Sequence, residues 1–544
     1  MSTHAIYWLK RDFRLADNPA LTAALEQFDS VTPVFILEPS ALSAPETSFL
    51  HVHAQCDAFN GLTLHLRQRT KSEDQILGLM HEEVVVALEK LYRAKPFAAL
   101  ISHFETGVNR TFARDKAAKK WCNHTGVAWQ EHRQTGVFRG PVDRDVRHKD
   151  WEAFYKADRL PIPTALHLLK IPDEYTEILQ LPKSEQRTYA PATELASDKW
   201  MTDPALLGRM HAGPLLPEHF GHVLSAEQLR YVQPVSEQAA EITLTSFHQQ
   251  RALDYSKGMS SPNTAFYRCS RLSVHLAWGT ISGRCAYQRT QTYYDALKES
   301  DLENAGTWRK NLRSFLSRLH WRDHFTQRLE TEVAMEHRPL NPNFHKLKLE
   351  DSDELYRAWI TGTTGYPMVD ACIRCMAVTG YINFRMRAML TSTAAHMFHL
   401  DFRSIDKPMA RLYTDYEPGI HLAQLQMQAG MVGINTLRTY SPDKQFLDHD
   451  PEAAFVHRWV PELRPYTAAE ISKRDLTQGL GDYPPAVVER MERIRAYKKI
   501  IGDLKFQPGG REITQAVFDK HGSRRGPRRK KKTPPKKKNT TAKD

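Results

Sequence analysis

Apolar runs and amphipathic stretches alternate through the first 135 residues of the chain. Asp17 or Asn18 followed by Pro19 is a typical helix start, with a capping side chain and a proline in the first turn. The predicted strands are residues 4–9, 31–37, 97–105 and 127–132, and the predicted helices are 19–28, 74–93 and 113–126. Because the strands are apolar throughout, we predict a Rossmann-like parallel sheet with helices on both faces, over residues 1–135.

The rest of the chain has a different pattern. Residues 136–220 carry many prolines and no sustained periodicity, so we interpret them as an interdomain linker. Residues 221–505 are dominated by helical spacing, for example from Trp308 to Glu332. The predicted fold class is therefore α/β plus all-α, with the larger helical domain second.

Positive charge is concentrated at the C-terminus. The net charge is +12, and Lys520–Asp544 contains twelve Lys or Arg and one Asp, which leaves the remainder near +1. We interpret 506–544 as a basic, largely disordered tail that tethers the protein to a polyanion such as DNA, with a solubilising tail as the alternative.

Composition excludes several classes of protein. No window approaches 18 consecutive apolar residues, and the N-terminus lacks an apolar signal region, so we expect neither a membrane span nor secretion. Six irregularly spaced cysteines favour a reducing compartment, and Cys372 and Cys375 form a CxxC without a second pair, so no metal site is expected. We expect a cytoplasmic protein, nucleoid-associated if bacterial and nuclear if eukaryotic.

The stretch from Arg411 to Pro442 carries the strongest candidate chemistry. Asp415, Glu417 and His421 surround a Pro-Gly break, which suits a polar ligand; an irregular connection between helices is the alternative. Arg387 lies on an otherwise apolar helix and needs a buried carboxylate or ligand, and Asp415 is the candidate partner.

Two further clusters look like ligand machinery. Tyr255 precedes the small-residue segment Cys269-Ser270-Arg271-Leu272-Ser273, whose hydroxyls at a helix start suit a phosphate or pyrophosphate. The segment His320-Trp321-Arg322-Asp323 places an aromatic ring beside a cation in an amphipathic helix.

Five ordered motifs give the chain a resemblance to the cryptochrome/photolyase family. The motifs are YWLKRDFRLADNPAL, YSKGMSSPN with CSRLSVHLAWGTIS, HWRDHF, TGYPMVDACIRCMAVTGYINFRMRAML and HDPEAAFVHRWVPEL. The resemblance implies an FAD cofactor in the helical domain. It assigns the cofactor to Tyr255, Cys269, Ser270, Arg271, Leu272, Ser273, Trp321, Arg322, Arg387, Asp415, Glu417 and His421. It implies catalytic roles for Trp321, His421 and Arg387, with Arg387 stabilising a reduced flavin and Asp415 holding it.

The chain departs from the family pattern around the flavin and the substrate. His421 stands where the family usually has Asn, and Leu425, Met427 and Phe402 stand at or near positions of its tryptophans. Arg318 and Phe384 replace a substrate-facing Glu and Asn. The residues that the resemblance turns towards substrate or DNA are Arg318, Arg322, Phe384, Arg385, Met427 and Arg438.

Two functions remain open on this basis. The first is a blue-light-driven photolyase, a monomeric lyase that splits pyrimidine dimers in UV-damaged DNA by electron transfer from excited reduced FAD. The alternative is a cryptochrome-like photoreceptor that binds FAD without repair. A second, antenna chromophore, a folate or a deazaflavin, is expected near residues 99–111 and Lys10-Arg11-Asp12, where sheet-end loops form a crevice. Nothing suggests an NAD(P)H site.

Overall fold

A computed structural model describes residues 3–142, 144–177 and 229–522. The N-terminal domain has five strands: β1 His4–Leu9, β2 Ser30–Ile36, β3 Gly78–Met80, β4 Ala99–His103 and β5 Ala128–His132. They form one parallel sheet in the order β3-β2-β1-β4-β5. Its helices are α1 Pro19–Gln27, α2 Pro39–Leu42, α3 Phe49–Thr70, α4 Val84–Ala94, α5 Asn109–Thr125 and α6 Arg144–Lys156. The doubly wound order confirms the predicted Rossmann-like sheet.

Local sequence explains where the first helix begins and why one prediction was wrong. The Asn18 side chain accepts a hydrogen bond from the Leu21 amide, and Pro19 occupies the first turn, as predicted. The single helix expected over 74–93 is instead β3 followed by α4. Gly78–Met80 pairs with β2 and is fully buried, so sheet pairing overrides the helical spacing.

The second domain is helical, as predicted. Its helices are α7 Glu237–Gln249, α8 Tyr255–Gly258, α9 Pro262–Arg268, α10 Ser273–Trp278, α11 Gly283–Ala296, α12 Ala305–Thr331, α13 Asp353–Thr361, α14 Pro367–Thr379, α15 Phe384–His396, α16 Phe402–Arg411, α17 Pro418–Gln428, α18 Pro442–His449, α19 Ala454–Trp459, α20 Ala468–Lys473, α21 Arg490–Lys505 and α22 Gly510–His521. Among the described residues no helix is long and apolar enough to cross a membrane.

The expected tail includes an ordered helix. Helix α22 lies within 506–544, and the Asn343 side chain donates to the Gly510 carbonyl at 2.7 Å and to the Thr514 hydroxyl at 3.2 Å. At its other end, Arg328 donates to the carbonyl of His521. The expectation of disorder is therefore wrong for this helix, and the basic residues beyond 522 lie outside the described residues, as do residues 143 and 178–220 of the predicted linker. Helix α6 lies within the described part of that linker.

The two domains are joined through buried polar contacts. Arg14 donates to the carbonyl of Gly279 at 2.9 Å, and Arg284 forms an ion pair with Asp17. Gly279 has a φ of +69°, and a Cβ there would lie 1.9 Å from the carbonyl oxygen of Arg11, so only glycine fits this contact. The apolar residues of α10 complete a core that is shared with the first domain.

Candidate cofactor and nucleic-acid site

The segment between α9 and α10 is shaped as a receptor for an anion. Arg251 donates to the carbonyls of Cys269 and Ser270, and Gln233 donates to the carbonyl of Arg271 at 2.9 Å. In a trans peptide the N–H that follows a carbonyl points the opposite way, so the N–H groups of Ser270 and Arg271 face away from Arg251. The Leu272 N–H donates to the Ser270 hydroxyl at 3.5 Å. Arg271 has a φ of +59° and Leu272 is right-handed, which is the backbone alternation that forms an anion-binding nest.

Arg387 and Asp415 form the predicted ion pair. The two guanidinium Nη atoms each donate to one carboxylate oxygen at 3.0 Å, and Nε donates to the carbonyl of Ile382 at 2.9 Å. Burial alone raises the pKa of Asp415, but Arg387 and the Ser273 hydroxyl outweigh burial and hold that pKa below its usual value. The pair therefore stays charged, and it is fixed in position by a bidentate geometry.

Tyr381 connects the anion-binding segment to this ion pair. The guanidinium of Arg271 lies 3.4 Å from the centroid of the Tyr381 ring, and that of Arg387 lies 5.8 Å from it. The Ser273 hydroxyl, at the start of α10, also contacts Asp415. The structure thus brings residues that are distant in sequence into one site, with two cations held on a single aromatic ring.

His421 is fixed by a carboxylate on the neighbouring helix. Its Nε2 atom lies 2.9 Å from Oδ1 of Asp406 and 3.1 Å from the carbonyl oxygen of the same residue. Edge-on contacts with the rings of Tyr413 and Tyr416 complete its surroundings. The expected flavin contact of His421 stays a prediction, but the ring orientation is set by the protein.

Glu417 points to a different place from Asp415. It accepts hydrogen bonds from Arg322 at 2.9 Å and from the Thr326 hydroxyl at 3.1 Å. These three side chains line a cavity of about 50 Å³ at the domain interface. Burial lowers the pKa of Arg322, but Glu417 and Asp323 outweigh it and raise that pKa. The expected contact of Glu417 and Arg322 with the polar part of the cofactor stays a prediction.

Gly419, the second residue of α17, lies at a close contact with α12 and must be small. A Cβ on Gly419 would lie 2.5 Å from the Cα of Thr326, so the glycine allows α17 to pack closely on α12. The Pro-Gly pair that looked like a break is thus a helix start at a close helix–helix contact. This contact holds Glu417 beside Arg322.

Three of the residues expected to face DNA meet at the surface. The Phe384 ring is 51% exposed, with the guanidinium of Arg318 5.5 Å and that of Arg385 5.9 Å from its centroid. Neither arginine forms an ion pair with a carboxylate of the described chain. Arg318 also hydrogen-bonds the buried phenol of Tyr255, whose pKa is raised by burial. The exposed cluster therefore adjoins the predicted cofactor residues Tyr255 and Cys269.

Other predicted residues are not joined to this cluster. Met427 is half-buried on α17, and Arg438 is exposed in the segment after it. No hydrogen bond, ion pair or ring contact within the described residues connects either to Phe384. Trp321 is half-buried and packs against Phe325 and His324, with ring centroids 5.6 and 5.3 Å away. Their contacts with flavin or DNA stay predictions.

Sequence reasoning missed four residues that shape the site: Gln233, Arg251, Tyr381 and Asp406. Arg251 and Gln233 donate to backbone carbonyls, and a sequence motif does not reveal contacts with the backbone. Tyr381 lay within a quoted motif, but its ring is placed only by folding between two arginines. Asp406 lies in α16 with helical spacing, and its contact with His421 was not foreseen.

A cleft exists where the antenna was expected. It measures about 100 Å³ and is lined by residues at the carboxyl ends of β1, β2 and β4, together with Trp278 and Tyr416 of the helical domain. Its charges are largely paired: Arg114 contacts Glu105 at 2.9 Å and Glu38 at 3.4 Å. Burial would raise the pKa of Glu105, but Arg114 and Arg11 lower it to about 2.

The two cysteines of the CxxC motif are free and buried. Cys372 and Cys375 are buried in α14, and burial raises the pKa of both thiols. No cluster of metal-ligating side chains occurs in the ranges that the structure describes.

The residues present fit FAD. The nest at Arg271, with the hydroxyl of Ser270, supplies donors for a pyrophosphate, and Arg387 supplies a fixed positive charge for a reduced isoalloxazine ring. A doubly wound α/β domain followed by a helical domain with this donor set defines a flavin-binding protein of two domains.

Comparisons with known proteins specify the class. A family model described as "DNA photolyase" matches residues 5–143, and one described as "FAD binding domain of DNA photolyase" matches 315–505. The chain belongs to the cryptochrome/photolyase family.

Relatives span nearly the whole chain at low identity. A deoxyribodipyrimidine photo-lyase of Vibrio cholerae is 27% identical and covers 91% of this chain and 100% of its own. One from Synechococcus is 24% identical, with 93% and 98% covered, and a cryptochrome DASH of Solanum lycopersicum is 24% identical, with 85% and 77% covered.

Solved structures share the fold. An archaeal photolyase from Sulfolobus tokodaii, described with two FAD molecules, has a TM-score of 0.69 at 21% identity, covering 92% of this chain and 100% of its own. A Synechocystis cryptochrome also has a TM-score of 0.69, at 18% identity, with 91% and 99% covered.

Proposed function

We propose that the protein is a monomeric, FAD-dependent photolyase that repairs pyrimidine dimers in UV-damaged DNA under blue light. The observation that carries the proposal is the exposed Phe384 ring between Arg318 and Arg385, beside the FAD-type site. Two cations with no carboxylate partner among the described residues suit a phosphate backbone, and an exposed ring suits an unstacked base. The proposed location of the protein is the cytoplasm, at the nucleoid in a bacterium, or the nucleus in a eukaryote.

Reduced FAD, when bound and excited by light, would lend an electron to the dimer and take it back once the ring has split. The chain supplies the rest. Arg318 and Arg385 bind phosphates that flank the two adjacent damaged nucleotides, which must leave the duplex to be reached. Phe384 stacks on the exposed base face. Arg387 keeps a positive charge at a fixed place, held by Asp415, so that negative charge is stabilised without reorganisation.

The contacts of His421 determine which ring nitrogen carries the proton. The carbonyl of Asp406 can only accept, so Nε2 carries the proton, and in the neutral ring Nδ1 is an acceptor. An N–H donor that approaches Nδ1 is therefore favoured over a second acceptor. This preference is a property of the chain and is independent of the lesion.

A light-dependent repair assay tests the proposal. Holoprotein is mixed with oligonucleotides that contain cyclobutane or (6-4) lesions, and intact thymines are counted after blue light and after darkness. We expect lesion loss in the light only, and a reduced rate in Phe384→Ala and Arg318→Ala.

The second candidate function is a cryptochrome-like photoreceptor. Arg318 favours it, because a cation stands where the resemblance places the dimer-binding Glu. Photoreduction of the bound flavin without loss of either lesion would establish the photoreceptor and reject repair.

The cleft at the sheet edge is our proposed place for a second chromophore, a folate or a deazaflavin. Its position at a domain interface supports this, although 100 Å³ is below the several hundred that a pocket for a molecule of this size occupies, so the Arg114 pairs have to open. The absorption spectrum of purified protein tests it: a band besides those of FAD supports a second chromophore, and FAD bands alone contradict it.

A further inference from the structure

A second exposed phenylalanine lies far along the chain from Phe384, at the corner between α21 and α22. The Phe506 ring is 63% exposed, more than that of any other large apolar residue in the described chain. The ammonium of Lys505 lies 5.8 Å and the guanidinium of Arg511 5.9 Å from its centroid. Phe384 likewise has an exposed ring with two cations within 6 Å of its centroid.

The two cations at this corner lack ion-pair partners in the part of the chain that the structure describes. Neither Lys505 nor Arg511 forms an ion pair with a carboxylate in the described ranges, whereas Lys499, on the same helix, is paired with Asp503 at 2.7 Å. Two cations beside an exposed ring therefore present positive charge and an apolar face together. Water solvates the first well and the second poorly, so a polyanion with flat apolar faces is the complementary partner.

Hydrogen bonds fix the backbone of the corner between α21 and α22. The Gly510 amide donates to the Gln507 carbonyl at 2.8 Å, and the Gln507 side chain donates to Asn343 at 3.3 Å. Asn343 is buried, and it donates in turn to the Gly510 carbonyl. Gly509, with a φ of +76°, makes the turn. A ring on a fixed corner loses little conformational entropy when it stacks.

Charge beyond the corner strengthens this choice of partner. Helix α22 leads from Phe506 towards residue 522, after which the sequence contains eleven Lys or Arg and one Asp. A DNA strand that is bound at the corner therefore meets a helix, α22, that leads into the most basic part of the sequence. A protein partner would need carboxylates to match it and would gain nothing from a flat ring in particular.

We propose that Phe506, Lys505 and Arg511 form a second nucleic-acid contact, specific for single-stranded DNA. The ring lies on a convex corner, so it reaches the face of a base only where bases are unstacked, and a continuous duplex hides those faces. The two cations bind the flanking phosphates. This contact shares no residue with the lesion site, and it is independent of whether the protein repairs DNA.

The test measures binding by the full-length holoprotein to a fluorescein-labelled oligothymidylate and to a labelled hairpin duplex, by fluorescence anisotropy. Phe506→Ala is expected to weaken binding to the single strand by about fivefold or more, and Phe506→Trp to retain it. Lys505→Ala combined with Arg511→Ala is expected to lower the salt slope by roughly 1.4, for two phosphates on a single strand.

Matched controls separate stacking from general effects. Ile242→Ala removes an apolar side chain of similar exposure, 62%, elsewhere in the helical domain and is expected to change nothing. Lys499→Ala removes one charge from α21 and is expected to have a smaller effect than Lys505→Ala, because Lys499 is already paired. Thermal unfolding of each variant checks that the fold is retained.

Several outcomes would overturn the proposal. It fails if Phe506→Ala binds the oligothymidylate as Ile242→Ala does, or if the duplex loses as much affinity as the single strand. It also fails if the effect of Phe506→Ala vanishes in a Phe384→Ala background, since the two contacts are separate. Loss of repair with retention of the Phe506 effect would reject the proposed function alone.

Discussion

His421 and Asp406 are joined by one nitrogen atom: Nε2 of His421 contacts both the carboxylate and the carbonyl oxygen of Asp406. Lys407 approaches the other carboxylate oxygen at 3.2 Å and also contacts Glu336 at 3.1 Å. The imidazole is therefore hydrogen-bonded to a buried carboxylate that is itself paired with a lysine. The carboxylate of Asp406 thus fixes the orientation of the His421 ring.

Asp406→Asn is expected to destabilise the protein at neutral pH by about 1.5–3 kcal/mol, the usual value of a hydrogen bond to a charged group. Burial raises the pKa of Asp406, but His421 and Lys407 hold it below the usual value. A depressed carboxyl pKa gives stability that is present above the unfolded-state pKa and is lost as the pH falls through the folded one. Urea unfolding at pH 7 and at pH 3.5 should show a smaller difference between variant and parent in acid. An equal difference at both pH values would contradict this.

Asp415→Ala is expected to lower both the stability and the FAD content. The change leaves the Arg387 guanidinium without its bidentate partner, and breaking a buried pair in this way costs about 3–5 kcal/mol. The ratio of flavin to protein absorbance measures cofactor retention. Lys444→Ala, in the exposed pair with Asp448, is the control and should retain full flavin. Normal flavin content in Asp415→Ala and in Arg387→Ala would remove both residues from the cofactor site.

Tyr381→Leu is expected to weaken FAD binding about fivefold, whereas Tyr381→Phe is expected to bind normally. Leucine removes the ring between the guanidiniums of Arg271 and Arg387 and leaves two like charges without their shared aromatic partner. Phenylalanine keeps that ring and loses only the hydroxyl. Equilibrium titration of apoprotein with FAD, followed by flavin fluorescence, measures the difference. Equal losses in both variants would show that the hydroxyl matters and the ring does not.

His51 is expected to make the domain interface sensitive to acid. Burial lowers the pKa of His51 from 6.5 to about 4, and its Nε2 atom contacts the Tyr413 carbonyl at 2.8 Å. The unfolded chain binds a proton below pH 6.5 that the folded chain resists until about pH 4, so stability falls across this interval by about 3 kcal/mol.

His51→Gln keeps a donor for the Tyr413 carbonyl and removes the titration. Unfolding free energies measured at half-unit steps from pH 7 to pH 4 should fall less steeply in this variant, by up to about 1.4 kcal/mol per pH unit. His337→Gln changes an exposed histidine and should leave the profile as it is. Parallel profiles for parent and His51→Gln would refute the assignment.

Removal of residues 523–544 is expected to flatten the salt dependence of DNA binding without lowering the melting temperature. The segment carries eleven Lys or Arg, and each phosphate contact adds about 0.7–0.9 to the slope of log affinity against log salt. The cut follows residue 522 because Arg328 holds the carbonyl of His521. A tail of equal length with glutamine at the basic positions is the control for length. An unchanged slope would leave the tail as a solubilising segment.

Sequence predicted the sheet well where burial on both faces left a continuous apolar run, as in β1, β2 and β4. It missed β3, because three residues inside a helical pattern become a strand only when β2 is beside them. The ion pair of Arg387 with Asp415 was predictable, since a cation on an apolar helix requires an anion.

The remaining site residues depend on conformation rather than on residue type. Arg251 and Gln233 bind carbonyls that are turned towards them by the left-handed backbone of Arg271, and no side-chain pattern encodes that turn. Glu417, two residues from Asp415, pairs with Arg322 and not with Arg387. It does so because α17 starts at Pro418 and packs on α12 through Gly419.

The close contact at Gly279 has a consequence for recombination between relatives. The carbonyl of Arg11 occupies the space that a Cβ would need, and Arg14 donates to the Gly279 carbonyl in return. The surfaces of the two domains are thus complementary in shape and hydrogen bonding at this contact. A chimera that takes residues 1–142 from one family member and the helical domain from another should fold only if both halves of this contact are inherited together.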